Sequence, residues 1–184
     1  TQEDVDLMLA MGTWAGQDLA NDRHKVATMV MAAANPIQAD IVPSLEDSGL
    51  DHVIAKCDPT RYIRQLKLFH DITNFNSIGL VYDDSEEGRV YSNVEDVMQV
   101  AQERGFAVVE CQAQEKDVSK EEARDNILAC WQEIAPKIEA VWITVHAGEH
   151  PRFMPEILAP LFEHKVKSWT RRNSDQVARG VLMS

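Results

Sequence analysis

Apolar and polar positions along this chain alternate between two kinds of block. Short, nearly continuous apolar runs give way to longer stretches whose apolar residues recur every three or four positions. The clearest run is Ile78-Gly79-Leu80-Val81-Tyr82. Its β-branched and aromatic members suit a strand covered on both faces. Asp83, Asp84 and Ser85 follow as capping residues. Glu86 and Glu87 stand where a helix N-terminus favours negative charge. The stretch therefore predicts a strand, then a polar loop at its carboxyl end, then a helix over 90–104 that stops at Gly105.

Downstream the alternation is regular. A strand is predicted over 106–111, and a helix over 119–134 opening with the capping box Ser119-Lys120-Glu121-Glu122. A strand over 140–144, a helix over 151–163 and a strand over 166–170 complete the set. Strict alternation of this kind predicts a parallel sheet with right-handed crossovers. Ser174 to Ala178 reads as one helical turn, and Val181-Leu182-Met183 as a last apolar run with no packed partner in sequence.

Upstream the pattern is looser. Strands are predicted over 5–11 and 26–31, with a short helix over 14–21 capped by Thr13. Ala32 to Pro36 ends the second strand, because the residue before a proline is pushed out of helical geometry. Residues 37–50 predict a short helix and a turn, and 53–57 a weak strand. Asp58-Pro59 starts a helix, with Asp58 as N-cap and Pro59 in the first helical position. Ile63, Leu66, Phe69 and His70 share one face of it. Thr73-Asn74-Phe75-Asn76-Ser77 is polar and turn-rich, so the main boundary is placed within 58–76.

Charge narrows the range of functions. The formal net charge is −12 and the isoelectric point is about 4.8. An acidic surface argues against a nucleic-acid partner, which needs a basic face, and against docking on anionic lipid. No apolar run is long enough to span a membrane. Cys57, Cys111 and Cys130 include no C-x-x-C pair. Cys111 and Cys130 read as buried core thiols, and no disulfide framework is implied.

Few chemical motifs are present. His146-Ala147-Gly148-Glu149-His150 matches the pattern of inverted zinc peptidases, which need both histidines on one helix face. Gly148 and Pro151 interrupt any such helix, so a polar loop is favoured. There is no G-x-G-x-x-G, P-loop or G-x-S-x-G. Asp83-Asp84 lacks the acidic pair and lysine that a phospho-acceptor site requires at other strand ends. Gly12-Thr13-Trp14-Ala15 places backbone N–H groups at a helix start, with Trp14 as an aromatic face for a ligand or a core residue. Trp131, Trp142 and Trp169 lie in periodic apolar segments and are expected in the core.

Taken in order, Asp6 to Thr13, Ala34-Asn35-Pro36-Ile37, Asp58-Pro59 with Ile63 to Leu68, Ile78 to Tyr82 with Ser85-Glu86, and Gln176 to Gly180 resemble the substrate-binding proteins of ABC transporters, of the tryptophan/tyrosine type. The resemblance implies an α/β, periplasmic-binding-protein-like fold with two Rossmann-like lobes, parallel sheets and an incomplete first lobe. Residues 1–57 would be part of that lobe, 58–76 a helix and hinge crossover, 77–172 the second lobe, and 173–184 a return toward the first. The chain is thus expected to be a piece of a longer protein.

The resemblance also implies function. The expected role is an extracytoplasmic, non-enzymatic solute-binding component. It would hold a small polar ligand, an amino acid or related carboxylate, between lobes that close about a hinge. Its partner would be a membrane permease, and no cofactor or metal is implied. Ligand contacts carried over by position are Thr13, Trp14, Ala15, Asn35, Asp58, Ser85, Glu86, His146, Arg172 and Asn173. The family commonly has Pro at Trp14, Asp at Asn35, Asn-Pro at Asp83-Asp84 and Asp-Asn at His146-Ala147. Arg89, His146, Arg171 and Arg172 add positive charge near the second lobe's rim, so a ligand more anionic than a zwitterionic amino acid is expected, held by bidentate arginine contacts. A ligand-sensing receptor domain is the alternative on the same fold, and an enzyme of flavodoxin-like fold is a third.

Overall fold

The apolar run at 78–82 is the middle of a four-stranded sheet. In the computed structural model β4 (Ser77–Tyr82) pairs with β5 (Ala107–Gln112) on one side and β6 (Ala140–Ile143) on the other. β7 (Lys167–Thr170) pairs with β6, giving the order β5-β4-β6-β7, all parallel. The structure describes residues 5–33, 35–171 and 174–184. Contacts divide the chain into two compact units, Thr1–Arg61 and Tyr62–Ser184, and this sheet belongs to the second.

Burial follows the period of the strand. Ile78, Leu80 and Tyr82, with Ala140, Trp142 and Trp169, pack under α2 (Arg61–Thr73) and α4 (Val94–Arg104). Val81, Val141 and Ile143 face the other way, under α5 (Lys120–Ile134) and α6 (Met154–Glu163). Both faces of β4 are dry, and each large apolar side chain so placed stabilises the fold by about 1.5–3 kcal/mol. Trp131, Trp142 and Trp169 lie in this core as expected. Residues 181–183, which lacked a partner in sequence, find one in β7. Met183 N–H donates to Ser168 O at 3.1 Å, Thr170 N–H donates to Met183 O at 2.9 Å, and Val181 is buried against the α5–α6 layer.

Several sequence expectations are corrected. The helix expected over 90–104 is two helices, α3 (Glu86–Ser92) and α4, because Asn93 between them takes a left-handed conformation at φ 54°. Residues 37–50 form turns without a helix, and α2 starts at Arg61 rather than Pro59. The cysteines differ most. Cys111 on β5 and Cys130 on α5, read above as separate thiols, form a disulfide with Cα atoms 5.7 Å apart. Packing of α5 against its own strand puts them within bonding range, which their spacing of 19 residues could not reveal. Cys57 remains a free thiol.

The first unit carries a smaller parallel sheet, β1 (Leu7–Met11), β2 (Ala27–Met31) and β3 (Val53–Ala55), in the order β1-β2-β3. One face is a core of Ala10, Val30 and Val53 against Ala39, Ile41 and Val42. On the other face Leu7, Leu9, Met11 and Ile54 are more than half exposed. α1 (Thr13–Leu19) follows β1 directly. Thr13 is its first residue rather than its cap, and Gly12 occupies the cap position at φ 97°, a conformation that glycine tolerates without a Cβ clash. Among the described residues no helix is long and apolar enough to cross a membrane.

The disulfide closes a loop short enough to contribute about 3 kcal/mol by restricting the unfolded chain. The double variant Cys111→Ser/Cys130→Ser should lose about that much in urea unfolding. Wild type in reductant should coincide with the variant; equal stability of all three samples would show that the bridge does not form.

Candidate functional site

In parallel sheets every strand ends on the same edge, and in open α/β folds that edge takes the ligand. The site is therefore sought at the carboxyl ends of the strands, one unit at a time.

In the second unit the loops after β4, β5 and β6 are tied together by buried hydrogen bonds. Asp83, 7% exposed, is the first residue past β4. Its Oδ2 accepts from Glu115 N–H at 2.7 Å and from Lys116 N–H at 3.4 Å in the loop after β5. Burial by itself would raise the Asp83 carboxyl. The N–H of Glu115, the Ser85 hydroxyl and the N–H of Lys116 outweigh that and hold it below the usual carboxylate range. From the loop after β6, His146, 2% exposed, donates from Nε2 to Ala113 O at 2.9 Å. Its Nδ1 accepts from Gly148 N–H at 3.0 Å, which fixes this neutral tautomer. Ala147 N–H donates to Glu115 Oε2 at 2.5 Å, and Thr144 Oγ1 to Val81 O at 3.2 Å. The three loops form one platform.

The remaining residues proposed for this unit flank that platform. Ser85 caps α3, accepting from Gly88 N–H at 3.0 Å. Gly88 sits so close beneath that a Cβ would lie 2.3 Å from Asp83 O, which seats α3 on the loop. Glu86 opens α3 and is exposed. Arg89 has its charge occupied: Nη2 donates to Glu95 at 2.7 Å, and Nη1 donates to Tyr82 Oη at 3.1 Å and lies 4.0 Å from Glu110. Arg171 lies over the Tyr62 ring at 4.5 Å. Arg172 and Asn173 lie outside the described residues. Among the described cations the free positive charge expected at the rim is therefore reduced, since Arg89 is paired with carboxylates and both ring nitrogens of His146 are taken up by the backbone. The 146–150 segment is a turn rather than a helix, so its histidines share no helix face.

The first unit offers its own three strand ends. Thr13 is buried, Ala15 half-buried, and Trp14 is 65% exposed beyond β1. Asn35, after β2, is buried, and its Oδ1 accepts from Ile37 and Gln38 N–H, both at 3.2 Å. Asp58, after β3, is exposed and accepts from the Thr60 hydroxyl at 3.3 Å. Trp14 and Asp58 thus present side chains to solvent, whereas Asn35 shapes its own turn. Sequence reasoning singled out neither Glu115 nor the Ala113 carbonyl. A backbone acceptor has no sequence signal, and Glu115 lies in a polar stretch like any loop.

A doubly covered parallel sheet with loops gathered at one edge is a doubly wound α/β arrangement, and the solved structures below make it periplasmic-binding-protein-like. The family model for ABC transporter substrate binding proteins matches residues 1–146, and the chain belongs to that family. No curated protein matches it significantly in sequence. Among the solved structures that share the fold are the following three. One is a conserved domain protein from Vibrio cholerae, with TM-score 0.73 and 22% identity, covering 96% of this chain and 56% of its own. A second is an ABC domain from Streptococcus pneumoniae in complex with L-Trp, with TM-score 0.71 and 22% identity, covering 96% and 57%. A third is a ligand-free, open substrate binding protein with adhesive properties from Clostridium difficile, with TM-score 0.61 and 22% identity, covering 94% and 55%. The chain spans little more than half the length of these proteins.

The depressed Asp83 carboxyl makes a directional prediction. Its stabilising effect is present above the unfolded value of about 3.9 and is lost as pH falls through the lower folded value. Asp83→Asn should cost about 1–2 kcal/mol at pH 7. The gap to wild type should narrow as pH falls below the unfolded value of about 3.9, as followed by urea unfolding across pH. A gap that stays constant with pH would show that the charge on Asp83 is not what ties the loops.

Proposed function

We propose that this chain is the ligand-holding part of a solute-binding protein that serves an ABC-type uptake system. The observation that carries this is the platform at the carboxyl ends of β4, β5 and β6. Asp83, Glu115 and His146 direct their hydrogen bonds inward and fix the loops before any ligand arrives. Preorganisation of this kind lowers the cost of binding. Family membership supports the same reading, as does a similar fold holding L-Trp. The ligand is a small polar solute, an amino acid or related carboxylate, and the protein binds it without converting it.

Of the residues assigned to the site, Trp14 supplies an exposed aromatic face, and Asp58 and Glu86 supply exposed carboxylates. Within the first unit Thr13, Ala15 and Asn35 set the loop shapes, and within the second Ser85 and His146 do. Arg172 and Asn173 belong to the site by resemblance. The partner is a membrane permease and the compartment is extracytoplasmic. The Cys111–Cys130 disulfide favours such an oxidising location.

Thermal unfolding against a panel of amino acids, their deaminated acids, their decarboxylated amines and small anions tests the reading. A true ligand at about 100 times its Kd should add about 2.7 kcal/mol of stability. The shift should be smaller in Trp14→Ala. A folded sample that responds to no compound would rule out solute binding by this chain.

A further inference from the structure

Two polar residues of the second unit are buried with side-chain atoms that find no hydrogen-bond partner. Asn93 is 2% exposed, and neither its amide nitrogen nor its oxygen has a hydrogen-bond partner. Its left-handed backbone is what breaks α3 from α4. Asp96, one turn further on, is 7% exposed, and its Oδ2 is likewise unpartnered. Burial raises the Asp96 carboxyl above the ordinary range, with the Asn93 amide and the Arg171 charge pulling the other way. Gln65 Oε1 on α2 and the indole N–H groups of Trp142 and Trp169 are also buried without partners. Native interiors leave few such groups, yet these collect in the layer under α2 and α4, on one face of one sheet.

Their position follows from connectivity. α2 ends at Thr73, just before β4 begins, and α4 ends at Arg104, just before β5 begins. Each helix is packed along the sheet and leads into the start of a strand. Its own first turn therefore lies at the carboxyl edge. Asn93 and Asp96 open α4, Tyr62 and Gln65 open α2, and Arg171 follows β7. All five residues reach the edge where the platform loops gather.

We infer that Asn93 and Asp96 are a recognition pair for a protonated amine on the solute. This rests on the solute-binding reading above and names the ligand group the second unit takes. An ammonium offers only donors, and the pair offers two oxygens, Asp96 Oδ2 and Asn93 Oδ1, to accept them. It also brings the positive charge that a desolvated carboxylate requires. Arg171 eases that charge but has its guanidinium over Tyr62. A purely anionic solute would meet Asp96 unfavourably.

The test compares L-tryptophan, indole-3-propionate and tryptamine, with L-leucine, 4-methylpentanoate and isoamylamine as a second series. Binding to the full chain is measured by calorimetry. Within a series, an amine-bearing member should bind at least tenfold tighter than its deaminated acid. Asp96→Asn should weaken amine binding tenfold or more while melting at or above wild type, because a neutral amide replaces a buried charge. Asn93→Asp should tighten amine binding several-fold. Wild-type binding that is indifferent to the amine, or unchanged in Asp96→Asn and Asn93→Asp, overturns the pair and leaves solute binding standing. A lower melting temperature in Asp96→Asn with undiminished affinity assigns Asp96 to the fold and overturns it as well. A folded wild type that binds neither series overturns the amine site together with the solute-binding reading.

Discussion

The second unit depends on one constraint: a parallel strand buried on both faces must be covered twice. β4 has no residue between Ile78 and Tyr82 that meets solvent. Two helices lie over one face and two over the other, and each returns the chain to the same end of the sheet. Once that is satisfied, every loop after a strand lands on one edge. The collection of polar residues there is a geometric result of covering the core, and the site follows from the sandwich.

Holding those loops is a task for buried polar groups. Asp83 accepts two backbone N–H groups, and His146 uses both ring nitrogens on the backbone. Unpaired, either would be costly in a dry interior; paired, they bring three separate loops into register. The disulfide acts one layer deeper. It fixes β5 to α5 just before Ala113, whose carbonyl receives His146. Asn93 and Asp96 contrast with this network, since both polar atoms of the Asn93 side chain and Asp96 Oδ2 are buried without a hydrogen-bond partner.

Much of the fold was legible in the residues because its signals are local. Five consecutive buried positions announce β4, Ser119 and Glu122 announce α5, and Gly105 announces the end of α4. The break at Asn93 was not legible. Val90, Val94, Val97 and Ala101 continue a helical stripe through it, and the polar pair Asn93 and Asp96 beside that stripe was the one available hint. The pairing of Cys111 with Cys130 depends on how α5 packs, which spacing does not encode. The site was legible as a set of loops but not as a set of charges. Arg89 reads as a free cation until the fold places Glu95 and Glu110 beside it.

The bare face of the first unit's sheet has a colloidal consequence. Leu7, Leu9, Met11 and Ile54 form a sticky strip on a molecule whose formal charge is −12. At low ionic strength mutual repulsion keeps two such strips from meeting. At about 0.1 M salt that repulsion reaches only about 10 Å, while the attraction between apolar faces is left intact. Samples of this chain are therefore best kept dilute and low in salt, against the usual habit of adding salt to hold an acidic protein in solution.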